Sequence, residues 1–304
     1  MTFTRRQALA TSAALPAAAL SAPAVFAAAD KMGPSMGKHN RFLLGDYEVT
    51  TLLVGTSERE NPHGMFGVNV SPEEFARVSE ENFIPHDRAQ AYFTPTIVNT
   101  GDALILFDTG LSPEGTSAAM AEAGYSPDQV DTVIITHMHP DHIGGLMGEG
   151  GETFSNAAYI TGAVEHNFWT GTPNERIEAK VIPLNDKFSF IDAGASVAPG
   201  ITAVDTSGHT PGHMAYMIES GGKQMLLVAD MVAHPVWSLA YPDWQFKFDA
   251  DKEAAVQTRR RVLDMLAAEK MPFIGYHMPF PAIGYVESRD GGFRYVPAAN
   301  QTMF

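Results

Sequence analysis

Thr136-His137-Met138-His139-Pro140-Asp141-His142-Ile143-Gly144-Gly145 follows directly on Val133-Ile134-Ile135, an apolar run that reads as a buried strand ending in a loop. The stretch sets three imidazoles and a carboxylate within six residues, and a strand tip is a rigid mount for ligands. His137 and His139 alternate with Met138, so in extended backbone both point to one side and can grip one ion through neutral imidazole nitrogens. Asp141 and His142 come after Pro140 turns the chain, and they project toward a neighbouring position. Two adjacent ion sites are therefore expected, each needing further ligands from elsewhere. Nitrogen and oxygen donors without a thiolate suit zinc best and also admit manganese, iron or cobalt. A His-rich surface loop needs no such ordered spacing.

The chain has 304 residues, 45% of them hydrophobic, enough for one large core. No repeat, charge block or low-complexity tract follows the first 30 residues. Net charge is −15, and loss of the first 29 residues, whose only charged groups are Arg5 and Arg6, takes it to −17. A polyanion is repelled by such a surface, which argues against nucleic acid as substrate or partner. With no cysteine, thiol nucleophiles, iron–sulfur clusters and disulfides are excluded. The Arg5-Arg6 pair, the Ala/Leu run to Phe26 and Ala27-Ala28-Ala29 before Asp30 resemble a twin-arginine export signal with its cleavage site. Pro16 and Pro23 interrupt the run, which favours cleavage over retention as a membrane span. The expectation is a signal peptide over 1–29, one domain over 30–304, a periplasmic or secreted location, and no stable membrane anchor after processing.

Arg41–Leu44 and Glu48–Val54 read as a first strand pair, Gly55–Val70 as a loop near the site mouth, and Ser71 as the cap of a helix running to about Glu81. Phe93–Asn99 and Ala103–Phe107 form a hairpin closing on Asp108-Thr109-Gly110. Asp108 either orients a ligand histidine or caps the helix that starts near Pro113 and runs to Ala123. Strands at Ala157–Thr161, Phe188–Ile191 and Ile201–Asp205, with a helix over Gly162–Trp169, make one α/β unit. Imidazoles concentrate again in Ser207-Gly208-His209-Thr210-Pro211-Gly212-His213, where flanking glycines let backbone come close to a ligand. Gln224–Ala229 is an apolar strand ending in Asp230, a charge that needs a partner beside a core. Phe273-Ile274-Gly275-Tyr276 leads to His277 after a helix over Asp249–Glu269. His39, His63, His86 and His166 have no metal-like neighbours and are placed on the surface or in loops, and His234, four residues after Asp230, is a candidate for the pocket lining without an assigned role.

His137, His139, Asp141 and His142 match in full the HxHxDH signature of the metallo-β-lactamase superfamily, which the chain resembles. The resemblance implies an αββα sandwich, two mixed β-sheets face to face with helices outside and the metals at one edge. It implies that His209 joins His137 and His139 in one site, that His277 joins Asp141 and His142 in the other, and that Asp230 bridges them. Asp108 falls in the Asp-Thr-Gly that underlies the metals, and His213 takes an orienting or packing role. Thr136–Met147, Gly208–Tyr216 and the tail His277–Pro297, with Phe280-Pro281-Ala282-Ile283-Gly284 and Phe293-Arg294-Tyr295-Val296-Pro297, look most like the methyl parathion hydrolase group. In that group Phe168 and Trp169 fall at an aromatic pocket wall, although their spacing equally suits the buried face of a helix. The segment between Trp169 and His209 looks shorter than in methyl parathion hydrolase, and Ala233 stands where quorum-quenching lactonases commonly carry a tyrosine.

The function implied is a dinuclear, zinc-dependent hydrolase in which a metal-bridging hydroxide attacks a neutral ester, lactone or phosphotriester, with Asp141 relaying a proton. The alternatives are a quorum-quenching lactonase and, from another class, a redox diiron or non-catalytic metal-binding protein. A homodimer is the group's usual state.

Overall fold

Val133, Ile134 and Ile135 are fully buried in the strand Thr132–Ile135 of the computed structural model. This strand lies between parallel neighbours Leu104–Phe107 and Ala158–Gly162. Burial on both faces explains why it reads as a continuous apolar run rather than an alternating one. Val133 and Ile135 face outward, into a cluster with Met120 and Phe154. Ile134 faces inward, into a cluster with Tyr216, Leu227 and Ile274 from the opposite sheet. Burying each such side chain contributes about 1.5–3 kcal/mol.

The structure describes residues 31, 33–289, 291–298 and 301–304, so the expected signal segment lies outside the described residues. Residues 31 and 33–36 carry no regular secondary structure, and Gly37–Phe304 form a separate compact unit. That unit contains two seven-stranded mixed sheets. The first runs His39–Leu44, Tyr47–Leu52, Thr96–Asn99, Leu104–Phe107, Thr132–Ile135, Ala158–Gly162 and Phe188–Ile191. The second runs Ser196–Ala198, Ile201–Asp205, Met214–Ser220, Lys223–Ala229, Phe273–Gly275, Ile283–Arg289 and Gly292–Pro297. Their inner faces meet in the cluster of Phe42, Val98, Ile134, Tyr216 and Leu227. The helix Pro113–Glu122 covers the first sheet through Ala119 and Met120. The helix Lys252–Glu269 covers the second, packing Val262, Leu263 and Leu266 on Leu226, Val228 and Phe273. The layers are helix, sheet, sheet, helix, as the family likeness implies.

Two local readings change. Gly55–Glu60 is a strand, not loop: it pairs antiparallel with Arg88–Phe93 as a separate two-stranded ribbon. Its side chains are mostly exposed and polar, so it lacks the apolar alternation that marks a half-buried strand. His166 is buried rather than on the surface, its Nε2 lying 2.7 Å from Asn185 Oδ1. None of the helices among the described residues is long and apolar enough to cross a membrane.

Candidate metal centre

Strand ends of both sheets deliver the polar residues to one edge. Thr132–Ile135 leads to His137, Leu104–Phe107 to Asp108, Ile201–Asp205 to His209, Lys223–Ala229 to Asp230, and Phe273–Gly275 to His277. Asp108 and Ala229 hold φ of 60° and 46°, a left-handed conformation costly for residues with a Cβ. Each turns the chain sharply where a strand hands over to the site.

Donor atoms of His137, His139, His209 and Asp230 lie within 4.8 Å of one another, and so do those of Asp141, His142 and His277. Asp230 touches both groups: its Oδ2 lies 3.4 Å from His209 Nε2 and 3.1 Å from His277 Nε2, and its Oδ1 lies 3.2 Å from His142 Nε2. All seven residues singled out in the sequence are thus brought together, in the expected division.

The outer ring nitrogens show what the inner ones are for. His142 Nδ1 donates to Asp108 Oδ2 at 2.8 Å, His209 Nδ1 to Asp249 Oδ1 at 2.9 Å, and His277 Nδ1 to the Tyr92 carbonyl at 2.7 Å. Thr136 gives its hydroxyl proton to Asp108 and receives His137 Nδ1 at 3.2 Å. A neutral imidazole that donates through Nδ1 presents a lone pair at Nε2, and here all four Nε2 atoms turn inward. His137 Nε2 and His209 Nε2 lie 3.0 and 2.9 Å from the same atom, His139 Nδ1, which can satisfy at most one of them by hydrogen bonding. His142 Nε2 and Asp230 Oδ1 are buried with no hydrogen-bond partner among the described residues. Converging lone pairs and orphaned buried acceptors are costly unless cations share them, so the donor set fits two divalent ions. Nitrogen and carboxylate donors without sulfur suit zinc.

Electrostatics separate the two groups. Burial, aided by repulsion from His142, holds His137 well below the usual imidazole range, and burial brings His139 down to about 3. Burial acts the same way on His142 and His277, but Asp230 with its neighbouring carboxylates outweighs it, holding His142 well above its ordinary value and carrying His277 up to about 10. Burial favours neutral Asp230, yet His277, His142 and His137 keep it well below the carboxylate range. Asp141, opposed by burial, is brought down to about 2 by His142 and His277. His137 and His139 are ready neutral ligands, while Asp141 and Asp230 form a carboxylate pair that calls for positive charge.

Several supporting residues escaped the sequence reading. Glu165, fully buried, accepts from Met138 N (2.8 Å), Trp169 Nε1 (2.6 Å), Thr210 Oγ1 (2.6 Å) and Gly212 N (3.0 Å), tying the two histidine loops together. A Cβ at Gly212 would stand 2.2 Å from Glu165 N, so glycine is what lets the loops meet. Asp249 joins His209 to the buried Arg259, whose guanidinium lies 3.0 Å from Asp249 Oδ2. The uncommitted residues now have places. Asp108 orients His142, while Ser112 caps the helix. His213 Nε2 accepts the Asp230 amide at 3.2 Å and its Nδ1 is held by Thr206 Oγ1 at 2.7 Å.

A cavity of about 300 Å³ opens on His139, Asp141, His209, Asp230 and His277. Its walls are Met65, Phe66, Phe93, Leu111, Phe246 and Phe248, with Arg59 and Arg176 also lining it. The expected wall of Phe168 and Trp169 is not there. Trp169 is drawn behind His139 by its bond to Glu165, ring centroids 5.5 Å apart, and Phe168 is 46% exposed outside the cavity. The aromatic lining comes instead from segments distant in sequence.

Residues 94–272 match the protein family described as the metallo-beta-lactamase superfamily. An N-acyl homoserine lactonase of Bacillus sp is 26% identical over 160 residues, 52% of this chain and 60% of that protein. The aligned part thus spans less than two thirds of that curated relative. Among solved structures, AidC, a dizinc quorum-quenching lactonase in complex with a product, superposes with a TM-score of 0.80 at 26% identity, covering 86% of this chain and 97% of that one. The hydrolase AbOPH of the beta lactamase superfamily gives the same TM-score and identity, covering 88% and 100%.

Proposed function

Since the chain belongs to the metallo-β-lactamase superfamily, we propose that it is a dizinc hydrolase of neutral lactones and related esters. One observation carries this reading: two donor groups that share Asp230 form the floor of a cavity whose walls are mostly apolar. The sequence likeness to lactonases and the structural likeness to a dizinc lactonase support it.

His137, His139 and His209 would hold one ion, Asp141, His142 and His277 the other, and Asp230 would serve both. Two such ions, when bound, acidify water toward neutral pH and polarise a carbonyl. The chain does the rest. Asp108, Asp249, Thr136 and the Tyr92 carbonyl hold the outer ring nitrogens, so that Nε2 of each imidazole faces inward. Asp141, more exposed than Asp230 and part of the cavity lining, would take the proton lost by the attacking water and pass it to the departing alkoxide. Phe66, Phe93, Phe246 and Met65 take up an acyl chain and exclude water, which strengthens every charge interaction on the floor.

The aromatic walls and the tail His277–Pro297, which resembles the methyl parathion hydrolase group, favour a second reading as a phosphotriester or aryl ester hydrolase. Zinc-reconstituted protein assayed on N-acyl homoserine lactones, aryl esters and phosphotriesters separates them. Lactone turnover at the highest kcat/KM is the expected result. Bound iron with an electron-transfer signal supports a redox protein instead, and bound zinc without turnover a non-catalytic one.

We also propose export by the twin-arginine route, supported by Arg5-Arg6 and Ala27-Ala28-Ala29. Replacing both arginines by lysine should retain the protein in the cytoplasmic fraction. A homodimer is proposed from the group likeness, and sedimentation equilibrium tests it.

A further inference from the structure

We infer that His234 is a catalytic hydrogen-bond donor, its Nε2–H fixed in the cavity to bind the substrate oxygen that gathers negative charge during ester or lactone hydrolysis. The inference rests on the hydrolase reading above.

Its protonation is determined by what the other nitrogen does. His234 precedes a π-helical turn, Pro235–Ala240, and its Nδ1 accepts the amides of Val236 and Trp237, each at 3.1 Å. A nitrogen that accepts two N–H groups carries no proton, so the neutral ring bears its hydrogen on Nε2. Burial keeps the ring neutral, bringing its pKa down to about 3.

Its orientation is determined as well. The imidazole lies flat on Trp237, centroids 4.0 Å apart at 14°, with Phe66 at 5.6 Å on another side. Trp237 is itself anchored by Nε1 donating to Ser79 Oγ at 3.0 Å. Ser238 Oγ accepts the backbone amides of Ala233 at 2.9 Å and His234 at 3.2 Å, fixing the chain beneath the ring. The result is a stiff donor, with no reorganisation needed when charge develops.

What remains is Nε2–H. It makes no hydrogen bond among the described residues, and the ring lines the same cavity as His209, Asp230 and His277. His234 belongs to neither ligand group, and with Nδ1 committed and Nε2 protonated it has no lone pair to give a metal. The cavity is also lined by Arg59, Gln90 and Arg176, but His234 is a donor whose direction is preset by its stacked ring and two backbone amides, and it serves the substrate's polar end.

Two substitutions separate this from a purely structural capping role. His234→Asn keeps an acceptor near the Nδ1 position for Val236 and Trp237 but removes the cavity donor. His234→Gln carries an amide near the Nε2 position and gives up the cap. For zinc-loaded His234→Asn, kcat on the best lactone should fall about 10²-fold, while zinc content stays at wild type and Tm moves little. His234→Gln should lose Tm yet keep more kcat than the asparagine variant. In ¹⁵N-histidine spectra of the wild type, His234 should show a proton on Nε2 and none on Nδ1 at neutral pH. An Nδ1–H tautomer, an imidazolium, or an unchanged kcat in His234→Asn overturns the inference while leaving the hydrolase reading intact. A wild-type enzyme that turns over no lactone, ester or phosphotriester removes both.

Discussion

His209 Nδ1 stands 2.9 Å from Asp249 Oδ1, and Asp249 is gripped from its other oxygen by the buried Arg259 at 3.0 Å. Arg259 also donates to the carbonyls of Met231, Pro242 and Trp244. A ligand on a glycine-flanked loop is thereby tied to the long helix Lys252–Glu269. Asp249→Asn should weaken zinc binding about 10–100-fold, measured by competition with a chelator, since such supporting contacts typically matter by that factor. Arg259→Met leaves Asp249 buried without its partner and should cost about 3–5 kcal/mol in urea unfolding.

Glu165 presents one carboxylate to four donors from both histidine loops. Glu165→Gln turns one acceptor oxygen into a donor that faces donors. Unfolding free energy should fall by about 1–3 kcal/mol, and zinc should dissociate faster because the loops holding His139 and His209 loosen. Stopped-flow chelation measures the second effect, and an unchanged rate would remove Glu165 from the account of the site.

Phe248 is 49% exposed at the cavity wall and packs edge-on against Phe246. Phe248→Ala should leave Tm nearly unchanged because little buried area is lost. For long-chain lactones KM should rise by about 10-fold while short-chain lactones are unaffected, the discrimination expected when apolar wall is removed. Equal loss for both chain lengths would place the acyl group elsewhere.

His234 supplies a pH signature. Its folded pKa is lowered to about 3 by burial, against an ordinary 6.5. The unfolded chain therefore takes up a proton below pH 6.5 that the folded chain refuses, and stability is lost as pH falls from 6.5 toward 3, by at most about 1.4 kcal/mol per pH unit from this group. His234→Asn should flatten that part of the urea-midpoint profile; an identical slope in both proteins would contradict the buried neutral state.

The candidate ligands were legible because metal chemistry restricts residue type and strand ends restrict position, and the family resemblance supplied the grouping of His209 and Asp230 with them. His137, His139, Asp141 and His142 sit together, and Asp230 and His277 each end an apolar run. Strands such as Met214–Ser220 and Ile283–Arg289 were less legible, since Met217 and Tyr285 stand where one face is only partly covered. Glu165 and Asp249 were invisible for a different reason. Each acts on residues tens of positions away, and a carboxylate on a helix or in a loop has the same local signature whether it is solvated or saturated with buried donors. The cavity wall failed likewise: Phe66, Phe93 and Phe246 come from three separate segments, and only tertiary packing selects them over Phe168 and Trp169.

The central claim is that Asp230 lies between two bound ions. Anomalous diffraction at the zinc edge from crystals of the zinc-loaded protein tests it directly. Two peaks about 3.5–4 Å apart, one among His137, His139 and His209 and one among Asp141, His142 and His277, both contacting Asp230, are expected. A single peak, or two peaks that do not share Asp230, would contradict the dinuclear centre.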